Sequence, residues 1–138
     1  QGADHTTGNA PKVECSGKGV DELVAISMEM QTLCATADSL GLCVFGRSVT
    51  NEHIDFVVES INGALGTSLE PSFFHTIGRE TLKYEAKFNN DAGFTEIDDE
   101  LPEFFYEEAL HPSKKVARFH ALEVNQSVQR WWQQYDTA

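Results

Sequence analysis

Six consecutive residues, Asp38-Ser39-Leu40-Gly41-Leu42-Cys43, put an acid, a glycine and a cysteine on one short turn behind a strongly helical run. The carboxylate accepts several hydrogen bonds. Gly41 lets the backbone turn tightly, with φ > 0 where the turn requires it. Cys43 as thiolate can ligate a metal. Side chains and backbone of such a turn could serve one ligand together. The same residues also read as ordinary helix-end chemistry, a glycine C-cap with a buried cysteine behind it, and spacing alone favours that reading. The remaining candidates are weaker. His5 lies in a Gly-, Thr- and Asn-rich stretch and reads by composition as a solvent-exposed tail histidine. His53 reads as a solvated helix residue. Asp91, Glu96, Asp98, Asp99 and Glu100 form an acidic loop, but no Asp/Asn-x-Asp/Asn-x-Asp/Asn-Gly run is present, so an EF-hand is excluded and a solvated loop is expected.

The elements that must position the turn are helical. Residues 1–19 read as loop. The spacing predicts a first helix over 20–37, with Asp21 favouring its start and Leu23, Ile26, Met30, Leu33 and Cys34 as its core stripe. Met28 and Met30 read as packing, Cys34 as a buried structural thiol and Cys15 as a bystander. A second helix is expected from Thr50 as N-cap, with Ile54, Val57, Val58, Ile61 and Leu65 on its apolar face and Gly63 and Gly66 at its end. A third follows Pro71 and runs to Phe88, broken or eased at Gly78. A short amphipathic helix over 102–110 and a last helix over 116–135 complete the chain. No alternating strand pattern and no internal repeat is present. The fold class expected is all-α, an irregular multi-helical bundle without substantial sheet. Residues 1–19 would be a loop segment and 20–138 one helical domain.

The bulk composition bounds the function. The 138 residues make one domain's worth of chain, and 41% hydrophobic residues suffice for a core. Asp and Glu total 22 against 10 Lys and Arg, a formal charge of −12. Such a charge argues against nucleic acid or an anionic membrane as partner. Three cysteines without paired short spacing exclude a complete disulfide framework, and a reducing, cytoplasmic setting is expected. No run approaches a membrane span and no leader pattern is visible. A chain opening on Gln1 rather than Met is expected to be a cut or processed product.

The stretch Asp38 to Phe45 resembles the Asp-x-x-Gly-Leu-Cys turn in the C-terminal helical region of the tungsten-dependent aldehyde ferredoxin oxidoreductases. Three further stretches fit that family in the same order: Gly2-Ala3-Asp4-His5; Ile77-Gly78-Arg79-Glu80-Thr81-Leu82 leading to Lys87-Phe88-Asn89; and Gly93-Phe94-Thr95 leading to Asp98-Asp99-Glu100-Leu101-Pro102-Glu103. The resemblance covers roughly residues 1–110 and fades in the last helix, where Arg130-Trp131-Trp132 is a faint echo. Family members often carry Arg where Asp91 and Phe104 stand here, so nothing functional is carried onto those positions.

The resemblance implies an enzyme that oxidises aldehydes to carboxylic acids and passes electrons to ferredoxin, using a tungsten ion held by two pterins and a 4Fe-4S cluster. Carried over residue by residue, it puts Asp38 on a pterin, Cys43 on the cluster, backbone groups of Leu42 and Cys43 on the same ligand, and His5 near the tungsten as a proton-transfer group. The family's three other cluster cysteines, in a Cys-x-x-Cys-x-x-x-Cys run, have no counterpart here, nor does its N-terminal pterin-cradling domain. The chain is therefore expected to be the C-terminal helical part of such an enzyme, partnered by the rest of the parent polypeptide and by ferredoxin. Alone it is expected to be inactive and to hold no cofactor. Homo-oligomerisation stays open. So do two other classes: a non-catalytic helical protein-interaction module, and an unrelated all-α domain with a chance turn.

Overall fold

The computed structural model describes residues 7–136. Among them are six α-helices: α1 (Val20–Ser39), α2 (Arg47–Thr50), α3 (Ile54–Leu65), α4 (Phe73–Asp91), α5 (Phe104–Glu107) and α6 (Ala121–Asp136). Helices α2 and α5 are single turns, and tight 3-10 turns cover Val44–Gly46 and Glu96–Asp99. The described residues contain no strand, only an isolated antiparallel bridge between Leu110 and Lys115. The expected all-α class holds. No described helix is long and apolar enough to cross a membrane.

The chain divides into two compact units, one made of residues up to Pro11 with Ser27–Phe88, the other of Lys12–Ile26 with the residues from Asn89 onward. The first is built on a close approach of α1 and α4. Cys34, Ala35, Thr36 and Ala37 are all buried, and small side chains there let a second helix come near. Thr32 and Thr36 are fully buried and solve their polarity locally: Thr32 Oγ1 donates to Met28 O at 2.8 Å, and Thr36 Oγ1 lies 3.0 Å from Thr32 O. Thr36 Oγ1 also reaches Phe74 O on α4 at 2.6 Å. Opposite them sits Gly78, where a Cβ would stand 2.2 Å from Thr32 O and 2.5 Å from Thr36 Oγ1. Gly78 therefore does not break α4, as its residue type suggests; the helix runs through it, and the missing side chain is what the neighbouring backbone requires. Ser39 Oγ and Thr81 Oγ1, 3.1 Å apart, continue the contact one turn on. Phe74, Val57 and Val58 form the apolar centre, with Leu33, Leu40, Leu42, Ile54, Ile61 and Leu69 packed against it. Burying Phe74 contributes about 2–3 kcal/mol.

The second unit is held by carboxylates as much as by apolar contact. Asp21, in the first turn of α1, accepts from Ser127 Oγ at 2.6 Å and from Arg130 Nη2 at 2.5 Å on α6. Those bonds, the serine first, hold its carboxyl below the usual range. Glu100 receives the Tyr106 hydroxyl, His120 Nδ1 at 3.1 Å and the Ala121 backbone N–H at 3.0 Å. Glu96 takes Gln129 Nε2 at 3.0 Å and Asp99 takes Asn125 Nδ2 at 3.1 Å. The acidic loop is exposed, as expected, and its carboxylates also act as a clamp along α6. Trp131 is buried, with the rings of Trp132 and Tyr135 each 4.8 Å away.

Two expected boundaries move for local reasons. Thr50 does not start the second helix: it ends α2, with its hydroxyl facing Gly46 O just before that turn, and α3 begins after His53, whose side chain makes no cap bond. The last helix begins at 121 rather than 116, because the Leu110–Lys115 bridge and the bond from Ala117 N to Phe105 O at 2.7 Å hold the preceding chain extended.

Two measurements test these contacts. Gly78→Ala should lose roughly 2–3 kcal/mol in urea unfolding, because the new methyl group meets backbone rather than a flexible tip. Gly63→Ala, in α3 with open space around it, should gain about 0.5 kcal/mol. The Tyr106 hydroxyl chiefly, then the Ala121 N–H, holds the Glu100 carboxyl down at about 2 from the ordinary 4.5. A carboxyl depressed on folding adds stability that is present above pH 4.5 and lost as pH falls from 4.5 towards 2. Stability should therefore fall across that window, and Glu100→Gln should flatten the slope there.

Candidate functional site

The end of α1 shapes the Asp38–Cys43 turn. Leu42 N bonds back to Ala37 O at 2.7 Å and Gly41 N to Asp38 O at 3.1 Å, with Gly41 at φ +66°. This pair of bonds is the Schellman arrangement, and only glycine takes its left-handed position without strain. The residue after the glycine in such a cap turns back onto the helix it closes, and Leu42 accordingly packs on the Val57–Val58–Phe74 centre together with Leu40. With the leucines inward, Asp38 and Cys43 are both exposed. The glycine-cap reading therefore holds for Gly41, while the buried cysteine that went with it does not. Cys43 leaves the turn extended, at φ −68° and ψ 129°, and opens the 3-10 turn Val44–Gly46.

The other predicted residues are scattered. His5 lies outside the described residues. Cys34 is buried at 3% exposure on α1, and Cys15, partly buried in the other unit, points its thiol at Val13 O, 3.4 Å away. Neither shares the turn with Cys43. Among the described residues no three His, Cys, Asp or Glu side chains group as a metal site. The donor set of the turn thus fits a thiolate-bound cluster as one contributor of four, through an exposed Cys43, and fits a pterin through an exposed acceptor at Asp38.

Two features escaped the sequence reading. Beside the turn lies an apolar groove of about 470 Å³, lined by Leu40 and Leu42 from the turn, Val49 from α2, and Phe56, Ile61 and Leu65 from α3. Its lining includes the row Phe56, Ser60, Ala64, which repeats every four residues along α3. That row was readable, but the stronger stripe of Ile54, Val57, Val58 and Ile61 masks it. The second feature is His75, whose Nε2 lies 3.0 Å from Glu29 Oε1 at the edge of a polar hollow of about 350 Å³ lined by Asn51, Glu52, Asp55 and Ser72. A histidine and an acid 46 positions apart in sequence carry no spacing signal.

The comparisons with known proteins agree with the family that the sequence resembles. The family model described as aldehyde ferredoxin oxidoreductase, domains 2 and 3, matches residues 1–136, so the likeness runs on through α6 rather than fading near residue 110. A tungsten-containing aldehyde ferredoxin oxidoreductase of Pyrococcus horikoshii is 27% identical over 113 residues, which is 81% of this chain and 18% of that protein. The chain thus spans less than a fifth of the curated relative it matches. No solved structure matches it. A family match over nearly the whole chain decides the assignment: this chain belongs to the aldehyde ferredoxin oxidoreductase family, as part of its C-terminal domains.

Proposed function

We propose that the chain is the C-terminal helical part of a tungsten–pterin enzyme that oxidises aldehydes to carboxylic acids and hands the electrons to ferredoxin, and that it is inactive without the rest of that polypeptide. The observation that carries this reading is the α1 cap, which turns Leu42 inward and leaves Asp38 and Cys43 exposed on the same turn. Asp38 would accept hydrogen bonds from pterin N–H groups. Cys43 would supply one of four cluster thiolates, with the backbone of Leu42 and Cys43 offering further polar groups to the same ligand. His5 would hold or move a proton near the tungsten. The bound groups supply the redox chemistry, in which the aldehyde takes up water and releases two electrons and two protons. The protein's own contribution is position: a rigid cap fixes the acid and the thiol relative to each other, so neither must be ordered when the cofactors bind. Three cysteines outside any disulfide among the described residues suit the reducing, cytoplasmic setting that goes with this role.

The thiol can be checked on the chain itself. Cys43 should be the cysteine modified fastest by a maleimide under native conditions, with Cys34 protected until unfolding. In the full-length polypeptide two variants should separate. Cys43→Ala should lose cluster iron while keeping tungsten. Asp38→Asn replaces an acceptor-only carboxylate with an amide and weakens a charge-assisted bond of about 1.5–3 kcal/mol, roughly 10- to 100-fold in affinity. It should lose tungsten and pterin while keeping iron. Loss of both metals in one ratio from both variants would make the turn merely structural.

A further inference from the structure

A helix end frays unless something outside the helix holds it. The end of α1 carries the Asp38–Cys43 turn, and two contacts hold it. Leu40 and Leu42 pack on the Val57–Val58–Phe74 centre. Apolar packing is non-directional, so it keeps the turn down without fixing its rotation about the helix axis. The second contact is directional. Ser39, the last residue of α1 and the neighbour of Asp38, has its Oγ 3.1 Å from Thr81 Oγ1 on α4. We propose that Thr81 is a positioning residue for the ligand turn: through Ser39 it orients the last turn of α1, and with it the Asp38 carboxylate and the Cys43 thiol. The proposal rests on the function proposed above and deepens it by naming a residue that serves that site through another.

The hydrogens of the two hydroxyls show that this contact is a bond. Each hydroxyl carries one hydrogen. Ser39 Oγ lies 2.7 Å from Ala35 O and Thr81 Oγ1 2.9 Å from Ile77 O, each four positions back on its own helix. Were both to donate there, the two oxygens would face each other lone pair to lone pair. At least one hydroxyl therefore directs its hydrogen across to the other helix. That costs little, because the carbonyl it turns from still accepts a backbone N–H of its own helix. The bond reaches the residue between Asp38 and the cap, and the two cap bonds start beside it, at Ala37 O and Asp38 O. Helix α4 is a firm point to reach from. One turn before Thr81, Gly78 sits against Thr32 and Thr36, and the Thr36 hydroxyl bonds Phe74 O. Thr32, Thr36 and Ser39 thus form one line along α1 that carries the helix crossing out to the turn.

The test compares two substitutions. Thr81→Val keeps the shape of the side chain without its hydroxyl, and Thr81→Ser keeps the hydroxyl. In the 138-residue chain, amide hydrogen exchange read by NMR should rise about 3- to 10-fold at Leu40 and Leu42 in Thr81→Val. The amides of residues 28–34 should keep the parent rate, and Thr81→Ser should match the parent throughout. In the full-length polypeptide held with a chelator, Thr81→Val should lose both tungsten and cluster iron about 3- to 10-fold faster than Thr81→Ser, because the turn carries both ligands as one unit. Parent-like exchange at Leu40 and Leu42 in Thr81→Val would overturn the proposal. So would an equal rise at every amide of α1, which marks a general loss of stability. Metal loss no faster than in Thr81→Ser would overturn it as well, since the bond would then serve the fold and not the site. Should Thr81→Val unfold, Ser39→Ala removes the same bond from the α1 side and is read the same way. The two ideas fail separately: a full-length polypeptide that takes up no tungsten removes the ligand role and leaves the exchange at Leu40 and Leu42 as it is.

Discussion

The first unit depends on one steric constraint, the absence of a side chain at Gly78. Helix backbones normally stay apart by the width of the side chains between them. Here the α4 backbone comes close enough to α1 that even one methyl group would overlap Thr32 O. That proximity brings the Thr36 hydroxyl within reach of Phe74 O, so a buried polar side chain joins two helices instead of only bonding back along its own. Threonine is a modest helix former, and two of them in the middle of α1 weaken it locally. Their presence is explained by the crossing: they are short enough to allow it and polar enough to fasten it. The run of small buried residues from Cys34 to Ala37 extends the same surface to the end of the helix.

The position of that end then decides what the turn can offer. A Schellman cap forces the residue after its glycine back towards the helix, and a leucine there takes part in the core. Because Leu40 and Leu42 both turn in, the residues flanking them turn out. The structural role of the Asp-x-x-Gly-Leu-Cys turn and the ligand role proposed for it therefore rest on one arrangement seen from two sides. Glycine and leucine fix the cap, and the cap fixes the spacing of acid and thiol. A ligand that needs both at once is served by a turn that cannot relax without pulling Leu42 from the Val57–Val58–Phe74 centre.

What could be read from the sequence follows the range of the interactions. The long helices were legible because three-and-four spacing of apolar residues is a local pattern: α1 and α4 stand close to their expected limits, and α3 ends at Gly66 as expected although it starts later. Gly41 as a cap was legible for the same reason. Gly78 was misread, since a glycine in a helix looks like a break until the partner helix is known, and Thr32 is 46 positions away. Glu100 was hidden similarly. Its partners Tyr106, His120 and Ala121 lie across a bend that no periodicity reports, so an acid that caps α6 looked like one more solvated charge. The turn's chemistry came from resemblance, not from spacing, which on its own pointed to a plain helix end.

The acidity of the chain has a structural use that its net charge conceals. Glu96, Asp98, Asp99 and Glu100 are consecutive or nearly so, and a run like that repels itself. Each has a defined acceptor role: Asp98 closes a capping box with Thr95, Glu100 caps the start of α6, and Glu96 and Asp99 take amide donors further along it. Any one such exposed contact is worth little. Arrayed along one helix, they fix its register in a unit whose apolar residues stay largely exposed, including Ile97, Phe104 and Phe105. The two units therefore fail differently. The first is sensitive to added volume where α1 meets α4 at Gly78, while the second loosens when the Glu100 carboxylate takes up a proton.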